Sequence, residues 1–60
     1  MNTVSLKGNK AKVLHRYPKA YAKYVGLTLR FVIVADHGGA ELSVYRSRER
    51  DAWRDVARHL

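Results

Sequence analysis

Histidine is the side chain here best suited to acid–base or metal chemistry, and it occurs as His15, His37 and His59. Catalysis needs a nucleophile, a base and an orienting group converging in one pocket. The three histidines fall in a helical stretch, a turn and a C-terminal segment, with no cysteine and no paired carboxylate nearby. None stands i, i+3 or i, i+4 from another, the spacing a helix-borne metal site uses. His37-Gly38-Gly39 has the composition of a phosphate loop, but such a loop leads its N–H groups into a helix N-terminus. These glycines separate two apolar runs instead, which makes them a hairpin turn. The sequence predicts no enzyme, no metal site and no cofactor.

The stronger chemical signal is cationic. The chain holds 12 Lys and Arg against 5 Asp and Glu, a net charge of +7, and the excess is unevenly placed. Residues 1–34 carry seven bases (Lys7, Lys10, Lys12, Arg16, Lys19, Lys23, Arg30) and no acid, whereas residues 35–60 balance five bases with five acids. Such a field attracts polyanions or acidic protein surfaces, although small proteins are also basic for solubility alone. The candidate phosphate contacts are Lys10, Lys12, Arg16, Lys19, Lys23 and Arg30, together with Arg46, Arg48 and Arg50 around the start of a C-terminal helix.

Tyrosines supply the second signal. If Leu29, Phe31, Ile33, Leu42 and Val44 face the core, then Tyr21, Lys23, Arg30, Val32 and Tyr45 share the opposite sheet face. Rings and cations mixed on one surface can stack bases and neutralise phosphates. Tyr21 and Tyr45 can equally shield an exposed sheet face, and the same face with Val32 and Val34 would suit a dimer or partner interface. Trp53, between Ala52 and Val56, reads as core.

The elements that must position these residues follow from periodicity. Leu27, Leu29, Phe31, Ile33 and Ala35 alternate with Thr28, Arg30, Val32 and Val34, the pattern of a strand with one buried face. After the Asp36–Gly39 turn, Ala40, Leu42 and Val44 alternate with Glu41, Ser43 and Tyr45 as a return strand. Residues 20–26 give an earlier strand ending at Gly26, completing a three-stranded meander. Asn9 is the expected N-cap of a first helix over residues 10–17, with Ala11, Leu14 and Tyr17 on its inner face, beside Val13, and Pro18 as its stop. A rival reading makes residues 7–10 a hairpin turn and residues 10–16 a strand. Ser47 is the expected N-cap of the second helix, whose Ala52, Trp53, Val56, Ala57 and Leu60 form one apolar stripe against the sheet. Glu49 and Asp51 in its first turn, with Arg58 and His59 in its last, match the helix dipole.

Sixty residues make a single domain, of which residues 1–8 are a flexible arm or a short extra strand. A chain of this size buries only about 60% of its unfolded surface, leaving little room for an enclosed cleft. Without cysteine there is no disulfide, and there is no signal-peptide pattern or apolar run of membrane-spanning length. The expectation is a soluble cytoplasmic protein, in a bacterial or host cell interior. The predicted class is α+β in the order α-β-β-β-α, a three-stranded antiparallel sheet with two helices packed on one face.

That order resembles double-stranded RNA-binding domains, with the Phe31–Val34 strand, the turn and the Ser47-led helix with Arg48 and Arg50 in corresponding places. The family's glycine before that serine is replaced by Tyr45-Arg46. Over nearly its whole length the chain is similar to small phage- and prophage-encoded proteins that share a Tyr-Pro-x-Ala step, here Tyr17-Pro18-Lys19-Ala20, a hairpin, and an Ala-Trp pair, here Ala52-Trp53. This second likeness is structural and implies no activity, whereas the first implies that Arg46, Arg48 and Arg50 around the second helix start would reach phosphate. The functional expectation is a small basic binding module, a phage-encoded accessory protein, that engages nucleic acid through its basic surface. The alternative is a protein-interaction module that binds or inhibits an acidic host protein.

Overall fold

A computed structural model of the chain describes residues 6–60, with the side chains of Leu6 and Lys7 outside the description. The elements are α1 (Leu6–Arg16), β1 (Tyr21–Val25), β2 (Arg30–Val34) and α2 (Glu49–Arg58). The architecture is α+β in the order α-β-β-α, with a two-stranded antiparallel sheet. The expected three-stranded sheet is therefore corrected.

The return segment runs beside β2 without becoming a strand. Single bridges join it at Val34 to Glu41 and at Phe31 to Arg46. Three residue steps on β2 thus oppose five on the return segment, and the two extra residues break the ladder as a bulge does. Ser43 fills the gap: its hydroxyl accepts the Ile33 N–H at 2.9 Å and donates to the Val44 carbonyl at 2.9 Å. The backbone N–H of Ile33 is satisfied by a side chain where a regular strand would offer a carbonyl.

The central strand is also shorter than its alternation implied. β1 and β2 pair from Tyr21↔Val34 to Val25↔Arg30, leaving Gly26, Leu27, Thr28 and Leu29 as the hairpin loop. Leu27 and Leu29, read as core residues, are exposed at its tip. The second turn behaves as read: the Gly39 N–H reaches the Asp36 carbonyl at 2.8 Å, and Gly38 takes φ 70°. A positive φ at the third position of a four-residue turn belongs to glycine.

In α1, the Tyr17 N–H bonds to the Val13 carbonyl at 2.7 Å, and Pro18 then ends the helix because it has no N–H to donate. The start differs from expectation. The helix runs back through Gly8 to Leu6, so Asn9 is an interior, buried residue and not a cap. A glycine inside a helix costs only about 1 kcal/mol. The inner face is accordingly Asn9 and Val13, with Leu14 and Tyr17 half-buried and Ala11 exposed. The rival hairpin over residues 7–16 is excluded by the helix. The arm or extra strand read over residues 1–8 lies outside the described residues for 1–5 and is helix from Leu6 onward.

In α2, Arg48 occupies the cap position with φ −122° and ψ 137° and makes no side-chain cap hydrogen bond. Ser47 stands one residue too early to serve as cap. Ala52, Trp53, Val56 and Ala57 are buried as read, while Leu60 lies past the helix end and is partly exposed. Trp53 is fully buried, and its indole N–H donates to Glu49 Oε2 at 2.8 Å, so the ring is removed from water without an orphaned donor.

The core joins Val13, Ala20, Ile33, Ala52, Trp53, Val56 and Ala57. α2 is its centre, packing on both strands and along α1, whereas among the described residues α1 packs on α2 and makes no comparable contact with the strands. This corrects the placement of both helices on one sheet face. The core alanines Ala52 and Ala57 lie on the buried side of α2, where small side chains let a neighbouring element approach closely.

Candidate nucleic-acid interface

The helix pair brings cations from distant parts of the chain together. Lys12 and Arg16 are one turn apart on α1, and Arg54 and Arg58 one turn apart on α2. Asn9, Lys12, Arg54, Ala57 and Arg58 line an open groove between the helices. Lys12 continues into an adjoining groove with His15, Arg16, Tyr17, His59 and Leu60. Lys10 lies over the Trp53 ring at 5.5 Å, nearer the start of α2. The helices therefore run in the same direction, and their basic residues meet in order along one seam. Arg54, Arg58 and His59 are not among the candidate phosphate contacts read from sequence, although the i, i+4 spacing of the two arginines marks one helix face.

Of the carboxylates that balance the second half of the chain, Asp55 is directed away from this seam, whereas Asp51 pairs with its Arg54. Asp55, almost fully buried, accepts from Arg46 Nε at 2.6 Å and Arg46 Nη2 at 3.1 Å. The hydrogen bond and then the charge of Asp55 push the Arg46 guanidinium further above its already high pKa. Asp51 contacts Arg54 at 3.2 Å between exposed side chains, an arrangement worth little in water. These are the two ion pairs among the described residues. Lys10, Lys12, Arg16, Lys19, Lys23, Arg30, Arg48, Arg50 and Arg58 are all exposed with no acid in contact. Arg46, by contrast, is a bolt between the return segment and α2. Arg16 also covers the Tyr17 ring at 4.9 Å.

Strand pairing puts Tyr21, Lys23, Arg30 and Val32 on one sheet face, whereas Tyr45, expected beside them on a third strand, lies in the return segment that forms no strand. Pairing places Tyr21 opposite Val34, Lys23 opposite Val32 and Arg30 opposite Val25, so these six side chains share one face. Val32 is nevertheless fully buried, and the Tyr21 ring packs against His37 with centroids 4.8 Å apart. Tyr45 donates its hydroxyl to Glu41 Oε2 at 2.6 Å, which with desolvation and the carboxylate charge raises the phenol pKa. Both tyrosines proposed for base stacking thus have intramolecular partners. The remaining free groups on that face are the cations Lys23 and Arg30.

Among the described residues no three His, Asp or Glu side chains gather as a metal site, and no helix is long and apolar enough to cross a membrane. No protein-family model matches the chain, and neither does any curated protein or solved structure.

Proposed function

We propose that this chain is a small non-enzymatic module that binds nucleic acid in a cell interior, through phosphate contacts made by the α1–α2 seam. The observation that carries the reading is the gathering of Lys12, Arg54 and Arg58 around one open groove, with Lys12 and Arg16 lining the groove that adjoins it. Like charges at i, i+4 destabilise a helix by about 0.2–0.5 kcal/mol per pair. Bringing Lys12, Arg54 and Arg58 to one groove adds a further repulsion, offset only in part by Asp51 on Arg54, that a bound polyanion would relieve. A merely solvated basic face needs no such concentration, since charges spread apart are just as soluble.

The contacts are to backbone phosphate, with little sequence selectivity, because long flexible cations on two helix faces offer no fixed donor pattern for base edges. Counterion release then makes log affinity fall with log salt, with a slope near −0.9 per phosphate neutralised on duplex DNA. The test is titration of labelled DNA and RNA at two salt concentrations. Steep slopes on either support the reading, and absence of binding at low salt sinks it. The second reading, an acidic protein partner, draws on the exposed Val44 beside Arg46 and Arg58 in a neighbouring groove. Recovery of one stoichiometric protein after nuclease treatment would favour it.

A further inference from the structure

The β1–β2 loop is built against the usual rules. Leu27 is 99% exposed and Leu29 67% exposed, and Leu29 holds a left-handed backbone with φ 55°. Glycine or asparagine takes that conformation at little cost, whereas a branched aliphatic residue is strained there. Gly26, at the other end of the loop, does not have a positive φ. The loop is nonetheless ordered by its own backbone: the Thr28 N–H and hydroxyl both reach the Val25 carbonyl, at 3.2 and 3.3 Å, and the Leu29 N–H reaches the Gly26 carbonyl at 3.4 Å. The fold therefore spends strain to hold two leucines out in water, where they contribute nothing to the core. Strain retained at an exposed site points to a binding role for the groups it displays. Directly behind the tip stand Lys23 and Arg30, on one face of the ribbon and without acidic partners.

We propose that this hairpin tip is an apolar wedge for duplex DNA, with Leu27 and Leu29 entering between base pairs while Lys23 and Arg30 grip the flanking phosphates. The proposal rests on the nucleic-acid reading above and specifies its mode. The required ligand must present an apolar slot bordered by anions, which a base step between two phosphate strands does. Architectural proteins unstack and kink DNA with aliphatic wedges of this size, most readily at flexible pyrimidine–purine steps. An anionic bilayer also offers apolar depth beneath negative charge. Two leucines are a small payload for holding a protein on a membrane, and the chain's one tryptophan is buried in the core.

The test compares the wild type with the double variant Leu27→Ser/Leu29→Asn on a short duplex. The duplex carries 2-aminopurine at a central TA step and a fluorescent donor and acceptor at its ends. Asparagine at position 29 suits the left-handed backbone, so the variant keeps its fold, which near-ultraviolet dichroism of Trp53 verifies. The wild type is expected to raise 2-aminopurine emission and shorten the end-to-end distance. The variant is expected to lose both signals while keeping the wild-type salt slope, because that slope counts phosphates. Equal unstacking by both proteins, or wild-type binding without unstacking, overturns the wedge and leaves the phosphate seam standing. Failure of the wild type to bind DNA while it binds RNA overturns the wedge and leaves the phosphate seam standing, and failure to bind either at low salt overturns both. Leucine-dependent binding to vesicles of phosphatidylglycerol and phosphatidylcholine, without DNA unstacking, overturns the wedge in favour of a lipid surface.

Discussion

Arg46 meets Asp55 through two hydrogen bonds, Nε to Oδ2 at 2.6 Å and Nη2 to Oδ1 at 3.1 Å, and so ties the irregular segment beside β2 to the middle of α2. The same arginine pairs its backbone with Phe31 in both directions, at 2.6 and 2.8 Å. One residue thus fixes the end of the return segment to the sheet by main chain and to the helix by side chain. Asp55→Ala should lower the melting temperature and accelerate amide exchange across residues 41–46. Arg46→Gln should reproduce that loss while leaving the salt slope of nucleic-acid binding at its wild-type value, because the guanidinium is already engaged. An Asp55→Ala protein as stable as the wild type would show that the segment is held by its backbone bonds alone.

Leu29 offers the opposite case, a substitution that should stabilise. A left-handed backbone costs a non-glycine residue about 1 kcal/mol or more, and little burial is forfeited at an exposed tip. Leu29→Asn should therefore gain about 1 kcal/mol, or roughly 4–8 °C in a domain of this size. A thermal melt that moved down would mean that the leucine makes a stabilising contact despite its exposure.

What could be read from sequence was whatever depends on near neighbours. Phe31 and Ile33 alternate correctly, Pro18 ends its helix, and Ala52, Trp53, Val56 and Ala57 fall on one stripe because helical period alone decides it. Leu27 and Leu29 fit the same alternation, but the strand pairing ends at Val25↔Arg30 and turns them into loop. Alternation has no sign for where pairing stops. The third strand failed for a related reason: two residues too many separate Glu41 from Arg46, and the Ser43 hydroxyl that fills the gap looks in sequence like any polar strand position. The site was half legible. Lys12 and Arg16 stood out because nothing nearby in sequence offsets them. Arg54 and Arg58 were overlooked because Asp51 and Asp55 sit beside them in sequence, although Asp55 is turned to Arg46.

The Tyr45–Glu41 hydrogen bond gives the fold an alkaline limb. Its phenol has a raised pKa in the folded protein because Glu41 accepts its proton and repels the phenolate. A raised folded value means that the protonated form is favoured by folding. The contribution is therefore complete below about pH 10, the ordinary phenol value, and is lost as pH rises through the folded value. Melting temperatures taken from pH 8 to 11 should fall more steeply for the wild type than for Tyr45→Phe. Parallel curves would show that the bond contributes nothing in solution.

The helix seam and the start of α2 are two separate sets of cations, and charge removal distinguishes them. Lys12, Arg16 and Arg58 line the adjoining grooves, whereas Arg48 and Arg50, equally without an ion-pair partner among the described residues, stand at the start of α2 next in sequence to Glu49 and Asp51. If the seam carries binding, the triple variant Lys12→Gln/Arg16→Gln/Arg58→Gln should lose about 2.7 from the magnitude of the salt slope, at roughly 0.9 for each of three phosphates. The double variant Arg48→Gln/Arg50→Gln should change it by well under that. The triple variant should also melt higher than the wild type at low ionic strength and converge with it as salt is added, because repulsion along the seam is what salt screens. A slope unchanged in the triple variant would show that these bases are only a solvated face, and a larger loss in the double variant would move the interface to the start of α2.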